Sequence, residues 1–171
     1  MRKKSGFTII EVVLVLAIAG LIFLMVFIAL PALQRSQRDT QREEDMSRAQ
    51  TAIVSFQKVN RGRTPVFDPG GQAWGSCGRT NAPSGFCERY LLVGGDTFED
   101  PDGTVYEFKD GGSLSGSQTG DGPGAFSEAD HMIWVYTNAT CDGEIAVAST
   151  GTRKVALLYA LEGGGTTCVN N

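Results

Sequence analysis

The chain has 171 residues and a formal net charge of −4, which leaves room for one modest globular domain beside a membrane segment. Its 19 acidic residues outnumber its 15 basic ones. That balance excludes a protein that binds nucleic acid over a broad basic surface, so any DNA contact would have to be local. Without Arg2, Lys3 and Lys4 the balance falls to 12 basic against 19 acidic residues, a net charge of −7.

An uninterrupted apolar run occupies residues 12–30. As a helix of about 19 residues it would be roughly 28 Å long, close to the thickness of the hydrocarbon core of a bilayer. Arg2, Lys3 and Lys4 precede it, and a positive flank keeps the N-terminus cytoplasmic while the remainder is exported. A secretory signal peptide would have a shorter apolar core followed by a small-residue cleavage site. The run therefore predicts a membrane span.

Glu11 stands at the start of this apolar segment. A carboxylate inside the membrane costs about 2 to 3 kcal/mol unless it is paired. Cleavage after Gly6 would free the α-amino group of Phe7, and that amine could neutralise Glu11 of a neighbouring copy if the helices packed side by side with a small offset. A plain single-span anchor stays open as an alternative, although it leaves Glu11 without a role.

The residues around this glutamate combine a short basic leader, a glycine, an aromatic residue, an offset acid and the apolar run. They are Lys4, Ser5, Gly6, Phe7, Thr8, Ile9, Ile10 and Glu11. The pattern resembles the class III signal of type IV prepilins and pseudopilins. This resemblance implies cleavage after Gly6 and N-methylation of Phe7 by a prepilin peptidase. It also implies polymerisation at an inner-membrane assembly platform driven by an ATPase, with Glu11 pairing with the amine of Phe7.

Two residues weaken the apolar helix, because an interior glycine costs about 1 kcal/mol and an interior proline about 3 kcal/mol. They are Gly20 and Pro31. In pilins the stretch between a glycine and a proline melts on entry into the filament. Gly20 matches the family's glycine, whereas Pro31 lies later than the proline of many pilins. A proline kink at the membrane exit is the alternative.

From residue 34 the composition becomes polar, but apolar residues recur in steps of three and four, which predicts an amphipathic helix packed on a domain. The stripe consists of Met46, Ala49, Ile53 and Phe56. Mixed charges on the same segment are typical of a solvated face; they are Arg35, Arg38, Arg42, Glu43, Glu44 and Asp45. We expect Gly62 to cap the helix and Pro65 to prevent its continuation, so that one helix covers residues 7–60.

Four cysteines follow in the exported part of the chain, where thiols are expected to oxidise. Cys77 and Cys87 lie in one loop-like stretch, which favours their pairing, and Cys141 then pairs with Cys168. Four cysteines allow three connectivities, so this pairing rests on proximity alone. A metal site is disfavoured, because the sequence has no Cys-x-x-Cys and only one histidine, His131. We expect no metal and no cofactor.

Segments rich in β-branched and aromatic residues predict strands at 104–108, 132–136 and 155–161, with a shorter one at 144–148. Such strands would form a small antiparallel sheet against the amphipathic helix, giving an α+β, pilin-like fold. The Gly-rich stretch 111–124 predicts a flexible insertion. Asp96, Asp100, Asp102 and Asp110 carry the oxygen ligands that calcium prefers, but no EF-hand spacing is present and such Asp/Gly clusters are usually solvated turns, so we do not predict a calcium site.

The sequence provides little for an enzyme. There is no G-x-S-x-G nucleophile motif to accompany His131, and no Walker A motif, so the energy for assembly must come from a partner. We expect His131 to be a strand-edge residue and the protein not to be an enzyme.

These patterns divide the chain into a leader at 1–6, an apolar filament-core helix at 7–33, an amphipathic helix at 34–62 and a headgroup at 63–171. The expected function is a structural subunit of a type IV pilus-like filament serving adhesion, motility or DNA uptake. Its partners would be itself, the prepilin peptidase, the assembly platform with its ATPase, the membrane before assembly, and an external surface or DNA. The precursor would cross the cytoplasmic membrane once, before joining an extracellular filament. A pseudopilin of a type II secretion system and a monomeric membrane-anchored binding module remain alternatives.

Overall fold

A computed structural model describes residues 6–65, 86–122, 131–151 and 153–171. The chain divides into two compact units, Met1–Gln37 and Arg38–Asn171. One helix, α1, covers Ile9–Val59 and contributes to both units. The helix predicted over residues 7–60 is therefore confirmed to within two residues at each end.

In the first unit, α1 continues through Gly20 and Pro31 without a break. Proline has no N–H to donate, so the carbonyl one turn earlier loses its usual partner at Pro31. No heavy atom lies within 4 Å of the position that a Cβ on Gly20 would take, so packing inside the chain does not require this glycine. Melting of the stretch between the two residues stays a prediction.

In the second unit, the remainder of α1 buries the predicted stripe. Met46, Ala49 and Ile53 are at most 1% exposed, and Phe56 packs partly buried against the same core. The prediction of a solvated charged face is wrong for Arg42, whose side chain is only 1% exposed. Arg42 lies four residues before Met46 and therefore in phase with the buried stripe. Its burial was not expected because arginine is seldom buried without a partner, and its partner Asp100 comes from a distant segment.

The C-terminus of α1 ends in a Schellman-type turn. The Gly62 amide donates to the carbonyl of Gln57 at 2.7 Å, five residues earlier. Arg61, with φ of 59°, takes the left-handed position that glycine usually occupies, and Gly62 follows with φ of 78°. The predicted stop is correct, but the left-handed cap residue is Arg61 and Gly62 is the next residue along the chain.

Seven strands form two sheets in the described part of the second unit. They are β1 Glu107–Ser113, β2 Thr119–Gly120, β3 Met132–Thr137, β4 Ala139–Asp142, β5 Ile145–Ala148, β6 Val155–Ala160 and β7 Thr166–Asn170. The larger sheet has the order β1-β3-β6-β7 and the smaller one β2-β5-β4. The strands predicted at 132–136, 144–148 and 155–161 are confirmed by β3, β5 and β6.

Two expectations about the sheet need correction. The first predicted strand, 104–108, begins later, because β1 starts at Glu107 and Val105 only bridges Glu99. The sheet is also mixed, since β1 pairs with β3 in parallel, whereas β3, β6 and β7 are antiparallel neighbours. A parallel pair needs a long crossover, and the Gly-rich stretch after β1 begins that crossover.

The Gly-rich stretch 111–124 is not a loose insertion over the residues that the structure describes. A Cβ on Gly111 or on Gly120 would lie 2.5 Å from the ring of Tyr136. The Gly122 amide donates to the hydroxyl of the same tyrosine at 3.3 Å. These glycines let the backbone approach a buried aromatic ring closely. Close approach of this kind, rather than flexibility, explains a glycine in a strand-like segment.

A disulfide joins Cys141 on β4 to Cys168 on β7, with the two Cα atoms 5.8 Å apart. It links an edge strand of the small sheet to an edge strand of the large sheet. This is the pairing that the sequence favoured. Cys87 is buried and disulfide-bonded, whereas Cys77, its predicted partner, lies outside the described residues.

Candidate assembly site and headgroup network

The first turn of α1 is closed by a reciprocal pair of side chains. The Glu11 amide donates to Oγ1 of Thr8 at 3.3 Å, and Oε2 of Glu11 accepts from both the amide and the hydroxyl of Thr8, at 3.1 and 3.0 Å. This is a capping box, in which the residue before the helix and the third residue inside it satisfy each other's amides. The sequence signal for it is Thr-x-x-Glu, and our sequence analysis did not use it.

The capping box gives Glu11 a partner within its own chain. A carboxylate at the N-terminus of a helix is also favoured by the helix dipole. A plain membrane anchor therefore no longer leaves Glu11 without a role. Pairing of Glu11 with the amine of a neighbour's Phe7 stays a prediction; the two bonds from Thr8 engage Oε2 of the carboxylate.

Around this turn the first unit presents a continuous apolar surface. Phe7 is 88% exposed, and the large apolar side chains that follow it up to Leu33 are exposed as well. The most apolar 18-residue window of α1 has a mean hydropathy of 3.2, with no residue of that window buried. Such a surface requires a membrane or other helices as its environment. Gly6 precedes it as an exposed residue with no atom near its Cβ position.

Residues 1–27 match the family model of the prokaryotic N-terminal methylation motif. The chain carries a class III prepilin signal. No curated protein and no solved structure matches the chain. The motif, the long apolar helix and the small sheet domain together give a type IV pilin-like arrangement. The methylation motif and the apolar helix fit a subunit of the pilin or pseudopilin type that is made as a membrane-anchored precursor.

The second unit contains a buried ionic cluster centred on Arg42. Its guanidinium donates to both oxygens of Asp100, at 2.7 and 2.8 Å. The third donor, Nη1, reaches Asp39 at 2.9 Å and Glu162 at 3.3 Å. Asp39 in turn accepts from the amides of Glu162 and Gly163, at 2.9 and 2.8 Å. One arginine therefore ties α1 to the turn before β1 and to the turn between β6 and β7.

Three more residues donate hydrogen bonds to the carboxylates of this cluster. The Tyr159 hydroxyl donates to Oδ2 of Asp100 at 2.9 Å, and the Asp102 amide donates to Oδ1 at 3.2 Å. Arg38 donates to Glu162 with Nε, at 2.7 Å, and with Nη2. We call Arg38, Asp39, Arg42, Asp100, Tyr159 and Glu162 the Arg42 cluster. Its members come from three separated segments of the chain, so no local sequence pattern predicts it.

The electrostatics of the Arg42 cluster favour the charged forms of its ion pair. Burial alone would lower the pKa of the Arg42 guanidinium, but hydrogen bonds to Asp100 and Asp39 outweigh it and raise that pKa. Burial would likewise raise the pKa of the Asp100 carboxyl, and the hydrogen bonds from Arg42 and Tyr159 lower it overall. The hydrogen bond from Arg38 lowers the pKa of Glu162. The opposite holds for nearby Asp45, where burial raises the pKa.

The four aspartates considered as calcium ligands do not come together. Asp96 lies 3.8 Å from Arg48, and Asp110 accepts from the Gly112 amide at 2.7 Å. Asp100 and Asp102 instead meet His131, which is buried and lies 3.7 and 3.3 Å from their carboxylates. These three side chains could reach a common ion, but each oxygen of Asp100 already accepts two hydrogen bonds from protein donors. We therefore assign Asp100 to the Arg42 cluster.

Proposed function

We propose that this prepilin is a structural subunit of a type IV pilus-like filament, cleaved after Gly6 and polymerised through residues 7–33 of its helix. The observation that carries the proposal is the exposed apolar surface behind a matched methylation motif. Once the leader is removed, burial of this surface between subunits provides the driving force for assembly. Exchange of lipid contacts for helix contacts gives little hydrophobic gain by itself, so removal of the subunit from the membrane also needs close helix packing and energy from the assembly machinery.

Cleavage and methylation have two consequences for the proposed contact between Phe7 of one subunit and Glu11 of a neighbour. Cleavage removes the three positive charges of Arg2, Lys3 and Lys4, so a leader that would have to cross the membrane no longer holds the helix in place. It also frees the amine of Phe7, whose N-methylation keeps the positive charge needed to meet Glu11 of a neighbour. Gly20 and Pro31 provide a stretch in which the helix can lose hydrogen bonds at reduced cost.

The remaining partners follow from what the chain lacks in its sequence. There is no Walker A motif, so extraction of the subunit from the membrane requires an assembly ATPase acting through an inner-membrane platform. The headgroup faces outward from the cytoplasmic membrane before assembly and coats the filament afterwards. In that position it would serve adhesion, motility or DNA uptake.

The proposal is tested on cells that produce the native chain. Mass spectrometry of the mature protein should find N-methylated Phe7 at the N-terminus, and electron microscopy of the sheared surface fraction should find filaments containing this chain. Replacing Gly6 by a bulky residue should leave the leader attached, which a gel-mobility shift detects, and filaments should be lost. A pseudopilin would give the same mature N-terminus but no surface filament. Retention of the leader by a working monomer would overturn both.

A further inference from the structure

Four basic side chains gather where α1 ends. Lys58, Arg61 and Arg63 belong to the last turn and the segment after it, and Arg153 comes from the turn before β6. All four are exposed. Arg153 lies directly on Gly62, since a Cβ on that glycine would be 2.6 Å from Nε of Arg153. Arg61 and Arg63 are the chain neighbours of the glycine against which the Arg153 side chain lies. We call these four residues the basic end.

Hydrogen bonds hold Arg153 in this place. The side chain of Gln57 donates to the Arg153 carbonyl at 2.9 Å, and the side chain of Asn171 donates to the same carbonyl at 3.1 Å. Asn171 also donates to the Gln57 side chain at 2.7 Å. Two amide side chains thus fix a basic turn against the end of a helix. Lys154, which follows Arg153, instead donates to the main-chain oxygen of Asn171.

The basic end differs from Arg38, Arg42 and Arg48 in its ion pairing. Among the residues that the structure describes, no carboxylate forms an ion pair with any of its four members, whereas Arg38, Arg42 and Arg48 all have such pairs. Like charges repel one another even in water. The helix dipole favours cations near the last turn, which accounts for Lys58. The helix dipole does not explain the position of Arg153, which belongs to a turn far from the helix in sequence.

We propose that the basic end binds the phosphate backbone of nucleic acid. Arginine presents a planar fork of donors that matches phosphate, and three of the four members are arginines. The surface is open, with a depression of about 320 Å³ beside it that is lined by Gln57, Gly151, Arg153, Lys154 and Asn171. Several exposed cations on an open surface suit a polymer with repeated phosphates better than they suit one small anion. Binding at the basic end would be a local DNA contact, the kind that remains compatible with an acidic chain.

The inference deepens the proposed function by naming an external partner, and it rests on that function only for the outward position of the headgroup. It is tested with the full-length mature chain in an uncharged detergent, so binding does not depend on filament formation. The probe is a labelled DNA duplex of about 30 base pairs, followed by fluorescence anisotropy over a series of salt concentrations. Wild-type affinity should fall steeply as salt rises, because phosphate contacts release counterions.

The test variant is Arg63→Gln with Arg153→Gln, and the matched control is Arg89→Gln with Lys109→Gln. Both remove two exposed positive charges, so the net charge of the two proteins is equal. The test variant should lose on the order of tenfold in affinity at low salt, and its salt slope should shrink by about 1.8, or 0.9 for each lost contact. The control should stay within about twofold of wild type.

Circular dichroism checks that both variants keep the fold, which is expected because the Arg153 carbonyl still accepts from Gln57 and Asn171. The proposal is overturned if wild type does not bind DNA at low salt, or if both variants lose affinity equally. It is also overturned if vesicles of phosphatidylglycerol or the polymer polygalacturonate displace the duplex at far lower concentrations than unlabelled DNA does. Failure here leaves the filament proposal standing, and failure of filament formation leaves the binding result standing.

Discussion

Arg42 and Asp100 form a two-pronged ion pair inside the headgroup, with side chains only 1% and 0% exposed and N–O distances of 2.7 and 2.8 Å. Removing one member leaves the other charge buried without its partner. We therefore expect Arg42→Leu to lower the free energy of unfolding by about 3 to 5 kcal/mol. Chemical denaturation of the full chain in detergent, followed by the near-ultraviolet signal of the headgroup aromatics, measures this loss.

The control for this prediction is the double variant Arg42→Leu with Asp100→Leu. Neither charge then needs solvation, and buried pairs replaced by apolar residues are often neutral in stability. The double variant should be closer to wild type than the sum of the two single losses predicts. Additive losses would mean that the two side chains act independently and that their pairing does not stabilise the headgroup.

Acid should destabilise the headgroup through the same residues. The pKa values of Asp100 and Glu162 are lowered in the folded state. Their contribution is therefore complete above the unfolded pKa of about 4 and is lost as the pH falls further, through the lower folded values. Asp45, with its raised pKa, contributes in the opposite direction. We expect the melting temperature to fall below about pH 4 in wild type.

The variant Arg42→Gln provides the comparison for the pH prediction. Without the guanidinium, burial dominates at Asp100 and favours its protonated form. Acidification should then relieve a buried charge, so the melting temperature of the variant should fall less than that of wild type, or rise. Parallel melting curves for the two proteins across this pH range would contradict the assignment of acid sensitivity to the Arg42 cluster.

The elements that sequence analysis predicted correctly are those with a local signal. The apolar run, the stripe ending at Phe56 and the strands β3, β5 and β6 are defined by residues within a few positions of one another. The capping box also has a local signal, Thr8-x-x-Glu11, and could have been found. What the sequence could not reveal is whether a neighbour's amine replaces Thr8 at Glu11, because that contact involves a second chain.

The errors arose where distant segments determine the role of a residue. Arg42 is in phase with the buried stripe, four residues before Met46, but a buried arginine needs a partner, and that partner, Asp100, comes from a distant segment. The parallel pairing of β1 with β3 depends on a crossover that no local pattern specifies. A glycine can be required for conformational freedom or for close approach of the backbone to another group. The contact with the ring of Tyr136 shows that Gly111 and Gly120 are required for close approach.

The close approach of Gly120 to the ring of Tyr136 predicts a steric effect of a larger side chain at this position. Gly120→Ala would place a methyl group 2.5 Å from the Tyr136 ring, and overpacking of this kind costs about 1 to 3 kcal/mol. Gly116→Ala is a less suitable comparison, since its φ of 62° adds backbone strain. A better test combines Gly120→Ala with Tyr136→Leu, which removes the clash. Denaturation should show the substitution at Gly120 costing less when Tyr136→Leu is already present than it costs in the wild-type chain.

The disulfide between Cys141 and Cys168 should stabilise the headgroup mainly by restricting the unfolded chain. With a sequence separation of 27 between the cysteines, the loop-entropy relation gives about 3.5 kcal/mol at 25 °C. We expect Cys141→Ala with Cys168→Ala to lose a comparable amount in denaturation experiments. Substitution is preferred to reduction, because a reductant would also attack the disulfide of Cys87. A loss below about 1 kcal/mol would mean that the β4–β7 contact persists in the unfolded state or that the bond is strained.

Two roles are now assigned to Glu11, capping its own helix and meeting the amine of a neighbouring subunit, and conservative variants separate them. Glu11→Gln keeps an oxygen acceptor for the Thr8 amide but removes the negative charge. Thr8→Ala removes the hydroxyl of the cap, at a cost of about 1 kcal/mol, and leaves the charge. If charge pairing drives assembly, Glu11→Gln should reduce filament yield far more than Thr8→Ala does, with both proteins inserted in the membrane at wild-type levels.

Glu11→Ala, which removes the acceptor and the charge together, should assemble no better than Glu11→Gln. Filament yield is measured by quantitative blotting of the sheared fraction against the membrane fraction, because the ratio corrects for differences in expression. Equal yields from wild type and Glu11→Gln would show that the carboxylate only caps the helix. In that case assembly would depend on the apolar surface between Phe7 and Leu33 alone, and the amine freed by cleavage would need no acidic partner.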